Sequence, residues 1–235
     1  YYNIPTALHF ISTNPSKLNE EGYYRLKDKY PLIVKPSRED ASIGIENNSI
    51  VHDESQLKKR IEFVLDKHKQ PALVEQFIDG REINVSVVGN VVKDINDLIV
   101  FPISEIDFSA LPVELPKIVS YNSKWMYNTI EFAGTKAVCP AQNLSHDLEA
   151  LIQSTAKTVY HLIGASDYAR VDFRVKDGVP YVLELNPNPD IASDVDEDTG
   201  FTRSGKAYGW AYEKLISNVI DFAWERWQRI FSEKS

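Results

Sequence analysis

Only one cysteine, Cys139, stands in the 235 residues, which excludes an internal disulfide and any cysteine-based zinc cluster. No apolar run approaches the ~20 residues needed to span a bilayer, and none resembles the core of a signal peptide. Positive charge is also short. Lys and Arg number 26 against 34 Asp and Glu, a net charge of −8. A surface this acidic repels phosphate backbones, so nucleic acid and anionic membrane are poor partners. No methionine opens the chain, which begins Tyr1-Tyr2-Asn3-Ile4, so a natural N-terminus is expected upstream. A reducing, cytoplasmic setting fits this composition. What is present is ordinary for a soluble globular protein: 43% hydrophobic and 26% charged residues, in a chain long enough to bury a sizeable core.

Periodicity predicts a helix over 17–30, stopped by Pro31, and a strand at Leu32-Ile33-Val34. A polar loop over 37–44 follows, with Ile43-Gly44-Ile45 opening a second strand. Asp53 and Gln56 have capping-box spacing ahead of Leu57, Ile61, Val64, Leu65 and His68. Residues 72–78 and 82–88 read as a hairpin about Asp79-Gly80. Residues 91–140 read as strands and long loops. A helix opens at Ser145, with Leu148, Leu151, Ile152, Thr155, Val159 and Leu162 at helical spacing. Strands over 168–175 and 179–185 join through Lys176-Asp177-Gly178 as a second hairpin, and an acidic loop and a helix over 211–231 close the chain. Hairpins mixed with helices, without regular βαβ alternation, predict an α+β fold rather than a doubly wound sheet, in one domain or two small lobes.

The stretch Ala169-Arg170-Val171-Asp172-Phe173 is followed twelve residues on by Glu184-Leu185-Asn186-Pro187-Asn188-Pro189. On a strand alternate residues share a face, so Arg170 and Asp172 point one way, and Glu184 and Asn186 share a face of the partner strand. The hairpin thus converges an arginine, two carboxylates and an amide oxygen, while Val171, Phe173, Val182, Leu183 and Leu185 make the other face apolar. Mg²⁺ takes hard oxygen ligands of this kind, and arginine neutralises a phosphoryl group in transfer. From spacing alone, a solvated strand face stays open beside the metal reading. Lys35 closes a strand ahead of the small-residue loop Ser37-Arg38-Glu39-Asp40-Ala41-Ser42-Ile43-Gly44, an arrangement that can hold phosphates, although it is no P-loop and also reads as a surface loop. Glu75-Gln76-Phe77-Ile78 ends one strand and Glu82 opens the next; such a segment can offer backbone groups to an adenine edge and a carboxylate to ribose hydroxyls, or be a plain hairpin.

Taken together and in this order, these residues resemble the ATP-grasp superfamily, most closely its D-alanine–D-alanine ligase branch. Ile33-Val34-Lys35-Pro36-Ser37-Arg38-Glu39 and Arg170-Val171-Asp172 with Leu183-Glu184-Leu185-Asn186 carry the resemblance, which spans nearly the whole chain. It implies an ATP-grasp fold, with mainly antiparallel sheets in two α+β lobes enclosing the nucleotide, a small lobe over 1–78 and a large lobe with the metal site over 79–235. It also implies ATP and two Mg²⁺ ions, for which Mn²⁺ could substitute. Lys35 is then expected on the α/β-phosphates, with Ser42, Ile43 and Gly44 closing over them. Glu75 and the Gln76-Phe77-Ile78 backbone would hold adenine, and Glu82 the ribose. Asp172, Glu184 and Asn186 would hold metal, Arg170 the transferred phosphoryl group, and Lys124 a second phosphate contact. The implied activity joins a small-molecule carboxylate to an amine through an acyl phosphate, with a homodimer allowed. Two departures stand out. The domain that opens the family's proteins is absent here. Ligases of this branch follow the metal-binding Asn with a segment ending Pro-Gly, where this chain has Pro189-Asp190, which argues against D-alanine as the natural substrate and for an acceptor rich in amine, or one placed differently.

A small-molecule kinase or a nucleotide-binding regulatory module would keep parts of this pattern, although binding alone has no use for a transition-state arginine. Asp194, Asp196 and Asp198 alternate like the start of an EF-hand loop, but the glycine falls late at Gly200 and Gly205 occupies the twelfth position. His9, His52, His68, His146 and His161 form no close ligand pair. Phe222, Trp224, Trp227 and Phe231 read as helix packing, or as a face that covers the domain expected upstream.

Overall fold

A computed structural model describes residues 2–15, 18, 21–92, 94–193 and 199–232. In chain order the elements begin with β1 (His9–Ser12), α1 (Glu21–Leu26), β2 (Leu32–Pro36), β3 (Ile50–Val51), α2 (Glu54–His68) and β4 (Ala72–Gln76). β5 (Arg81–Gly89), β6 (Ile99–Val100), β7 (Ser104–Asp107), α3 (Tyr121–Trp125), α4 (Ile130–Gly134) and β8 (Lys136–Val138) follow. The last elements are α5 (His146–Ile163), β9 (Asp167–Lys176), β10 (Val179–Asn186), α6 (Gly200–Ala207) and α7 (Tyr212–Ser232). They form two compact units: Thr6–Asp79 with Asp107–Lys136, and Tyr1–Pro5 with Gly80–Ile106 and Ala137–Ser235. We call them the lysine unit and the hairpin unit.

The lysine unit is built on a four-stranded antiparallel sheet, order β1-β4-β2-β3. On β2, Leu32 and Val34 are fully buried while Ile33 and Lys35 face the other way. α2 covers the buried face with Leu57, Ile61 and Val64. Half of the expected capping box forms at its start: Asp53 Oδ1 accepts from the Gln56 amide at 2.8 Å, satisfying a helix-end donor, while Gln56 Oε1 accepts from the His52 amide at 2.9 Å rather than from that of Asp53.

The hairpin unit carries a six-stranded sheet, order β10-β9-β5-β7-β8 with β6 on β5. One face, with Ile83, Val85, Val87, Val171 and Phe173, buries against Ile152, Ala156, Val159 and Tyr160 of α5. On the opposite face a smaller cluster of Val88, Phe101, Phe201 and Leu215 is packed with α6 and α7. Apolar burial of this kind is worth about 1.5–3 kcal/mol for each large side chain. The rest of that second face is polar.

The structure corrects several expectations. β4 and β5 are not a hairpin: β4 pairs with β1 and β2, whereas β5 pairs with β6, β7 and β9. Nor is the division a single cut after residue 78, because residues 107–136 join the lysine unit and Tyr1–Pro5 the hairpin unit. Ile43-Gly44-Ile45 does not open a strand. Ala41, Ser42 and Gly44 all have positive φ, so the backbone turns there, and the second strand begins at Ile50. The expected loops of 91–140 contain α3 and α4, too short to show periodicity. The first helix ends at Leu26, four residues short of the expected Tyr30, and at its other end Lys17, like Asp194, Asp196 and Asp198, lies outside the described residues. On α7, Phe222 packs inward, but Trp224, Trp227 and Phe231 are about half exposed, with Trp224 stacked on Trp227 and Phe231 tilted against it.

Candidate functional site

On the polar face of the hairpin unit, three strands bring eight side chains into register. Glu82, Asn84 and Ser86 of β5 stand opposite Arg174, Asp172 and Arg170 of β9. On the other side of β9, Glu184 and Asn186 of β10 stand opposite Asp172 and Arg170. A register shift between Val182 and Glu184 makes this compatible with the core. Val182 and Leu185 are three residues apart, an odd separation, yet both pack inward; one extra residue in the strand reconciles them.

Asp172 is the hub. Arg170 grips it with two bonds, Nε to Oδ1 and Nη2 to Oδ2, both 2.7 Å. Asn84 Nδ2 donates to Oδ1 at 2.7 Å. Burial works against the Arg170 charge, but Asp172, then Glu184 and Glu82, more than offset it and hold the guanidinium firmly cationic. Next along the face, Arg174 Nη2 donates to Glu82 Oε2 at 2.6 Å and Nη1 to the Gly80 carbonyl at 3.0 Å. Burial pushes the Glu82 carboxyl upward, against the pull of Arg174. Glu184 is exposed, and Asn186 Oδ1 accepts from the Asn188 amide at 3.0 Å.

Among the described residues no group of three or more His, Cys, Asp and Glu is arranged to hold a metal. The Asp172/Glu184/Asn186 set is of another kind, two carboxylates and an amide. It suits Mg²⁺, which keeps positions for water and phosphate oxygens.

In the lysine unit, Lys35 Nζ meets Glu75 Oε2 at 2.6 Å across β2 and β4. The Gln76 and Phe77 amides are already bonded to the Leu8 and Pro31 carbonyls, at 2.8 and 3.1 Å. Of the three expected adenine contacts, the Ile78 amide makes no such backbone bond among the described residues. The 41–45 turn is tied to α3. Ser42 Oγ donates to the Val119 carbonyl (2.8 Å), Trp125 Nε1 to Ala41 (2.9 Å), and the Tyr121 amide to Ile45 (2.8 Å). Lys124 therefore rides on the helix that the turn holds, its ammonium 5.7 Å from the Trp125 ring centroid. At Gly44, φ is +76°, and a Cβ would come within 2.5 Å of Pro36 Cγ, so only glycine fits. Its carbonyl accepts from buried Arg60 Nη2 at 2.8 Å, and Arg60 also bonds Glu46, Asn48 and Ser49.

Three supporting residues escaped the sequence reading. Asn84 and Arg174 lie at even spacing from Glu82 and Asp172, so period-2 counting marks both. Arg60 carries no such signal, because its partners come from a turn.

A family model described as D-ala D-ala ligase C-terminus matches residues 7–221. A D-alanine--D-alanine ligase of Syntrophotalea carbinolica is 33% identical over 195 residues, 81% of this chain and 53% of that protein. An uncharacterized protein, y4sG, of Sinorhizobium fredii is 29% identical over 200 residues, 85% of this chain and 54% of its own. The crystal structure of D-alanine--D-alanine ligase from Bacillus anthracis complexed with ATP superimposes with a TM-score of 0.70 at 26% identity, covering 99% of this chain and 63% of that one. The chain spans about half the length of the curated relatives it matches.

Proposed function

The chain belongs to the D-Ala-D-Ala ligase C-terminal family of ATP-grasp proteins, and from that premise we propose that it binds Mg-ATP and activates a carboxylate for attack by an amine. The observation that carries this reading is the register of Arg170, Asp172, Glu184 and Asn186 on one polar face.

Lys35 and Lys124 supply charge for the phosphates and the Ile78 amide an adenine contact, with Glu75 held beside Lys35. Glu82 accepts from the ribose. Asp172, Glu184 and Asn186 would hold Mg²⁺, which would supply positive charge to offset that of the phosphates. Arg170, pinned through Nε and Nη2, keeps Nη1 for the transferring phosphoryl group. A substrate carboxylate oxygen attacks the γ-phosphorus, the β–γ bridging P–O bond breaks, and ADP leaves. The amine then attacks the acyl carbon, loses a proton, and phosphate departs. Catalysis on this route is positioning and charge stabilisation.

Product analysis of the natural full-length protein, offered carboxylate and amine panels, tests this route. ADP and phosphate are expected; AMP with pyrophosphate would mean adenylation.

The acceptor preference turns on Asp190. Its Oδ1 accepts from the Ala192 amide at 2.9 Å and its side chain is exposed, so its charge stays in place but is screened by water. That charge repels an acceptor's carboxylate and attracts an ammonium group. Asp190→Gly is expected to raise use of D-alanine relative to amine-rich acceptors by about fivefold to tenfold. Efficient D-alanyl-D-alanine synthesis by the wild type would refute the preference.

A further inference from the structure

The Glu82–Arg174 pair has a feature the catalytic reading does not use. Arg174 is the direct cross-strand partner of Glu82, and its side chain is 5% exposed against 14% for the carboxylate. Its two terminal nitrogens are divided between the carboxylate, through Oε2, and the Gly80 carbonyl, two residues earlier in the chain and just ahead of β5. The fork therefore fixes the side chain of Glu82 relative to its own backbone, which a single-point cation cannot do. The bond uses Oε2, and Oε1 accepts no other hydrogen bond among the described residues.

We propose that Arg174 is a positioning residue that presents Glu82 to the ribose hydroxyls, and so sets the preference for a ribonucleotide over its 2′,3′-dideoxy analogue. This rests on the nucleotide reading given above and names the specificity of that same site. The placement suits it. Asp172 and Arg174 are two residues apart on β9, about 7 Å along the strand. A nucleotide lying along that direction can meet the metal ligands with its phosphates and Glu82 with its sugar. The chemistry suits it as well. An ionised carboxylate is acceptor-only and can take both hydroxyls, whereas a protonated one presents a donor to one of them. Burial favours the protonated form of Glu82, and Arg174 opposes it. A purely structural pair is a poor alternative account, since buried ion pairs often contribute no more than apolar replacements.

The test is calorimetric binding of Mg-ATP and of Mg-2′,3′-dideoxy-ATP to the 235-residue chain, with thermal melts to establish folding. Wild type is expected to prefer ATP by on the order of 10- to 100-fold, the range of hydrogen bonds to a charged acceptor. In Arg174→Met the preference should fall to about threefold or less, while affinity for the dideoxy nucleotide stays within about threefold of wild type. That split identifies positioning, because a structural lesion would weaken both nucleotides together. Should Arg174→Met fail to fold, Arg174→Gln decides: it keeps a donor to Glu82 but loses the charged fork, and should lose at least half of the preference. A folded variant that keeps the full preference, or that loses both nucleotides in parallel, overturns the proposal. Wild type that binds neither nucleotide overturns the nucleotide reading and this proposal with it. Wild type that binds both equally overturns the ribose role alone.

Discussion

Replacing Arg170 with alanine is expected to lower turnover of the natural full-length protein by on the order of 10²–10⁴, with Mg-ATP affinity little changed. The guanidinium is pre-placed: two bonds to Asp172 fix it, and surrounding carboxylates keep it charged. Such a group acts where charge develops during transfer, so its loss falls on kcat rather than on ground-state binding. Arg170→Lys tests the geometry apart from the charge. A lysine keeps the charge but cannot reproduce the two parallel bonds to Asp172, and most of the loss should persist. Steady-state ADP release measures both variants. A tenfold or smaller loss for the alanine variant would remove Arg170 from the catalytic set.

Gly80→Ala is expected to destabilise the protein by about 3 kcal/mol or more, or to prevent folding, although Gly80 sits outside every proposed ligand contact. A Cβ there would lie 2.2 Å from the Val175 carbonyl oxygen, a backbone atom of β9 that cannot rotate aside. Relief requires β5 to move away from β9 where it starts. That movement would also disturb the Gly80 carbonyl that holds Arg174. Urea titration or thermal melting measures the effect, and a loss under 1 kcal/mol would show that the strands tolerate separation there.

These two positions also show what the sequence made legible. The chain has two Asp-Gly pairs between apolar runs, and both read as hairpin turns. Asp177-Gly178 is one: both residues have positive φ, and β9 and β10 pair across it. Asp79-Gly80 is not. Neither residue has positive φ, and the glycine is required by close approach to β9 rather than by a turn. Sequence pattern cannot separate these two uses of glycine, because the deciding atom, the Val175 oxygen, is 95 residues away. Period-2 counting did place Arg170 with Asp172 and Glu184 with Asn186, because a pleated strand leaves no freedom in side-chain direction. It could not foresee the register shift between Val182 and Glu184, which lets Val182 and Leu185 pack on one face at an odd separation. Arg60 was out of reach. Its ligands Gly44, Glu46, Asn48 and Ser49 are gathered by a turn whose conformation depends on positive φ at Ala41, Ser42 and Gly44.

Calorimetric titration of ATP into this chain, with and without Mg²⁺ and alongside Glu184→Gln, tests the central claim most directly. Glu184 faces Asp172 across the hairpin and is exposed, so its amide replacement removes a charge proposed to ligate the metal, with little cost to the fold. The account predicts Mg²⁺-dependent binding in wild type and a loss of at least about tenfold in the variant, the cost of one charged ligand. Equal affinities in wild type and variant, or binding indifferent to Mg²⁺, would contradict it.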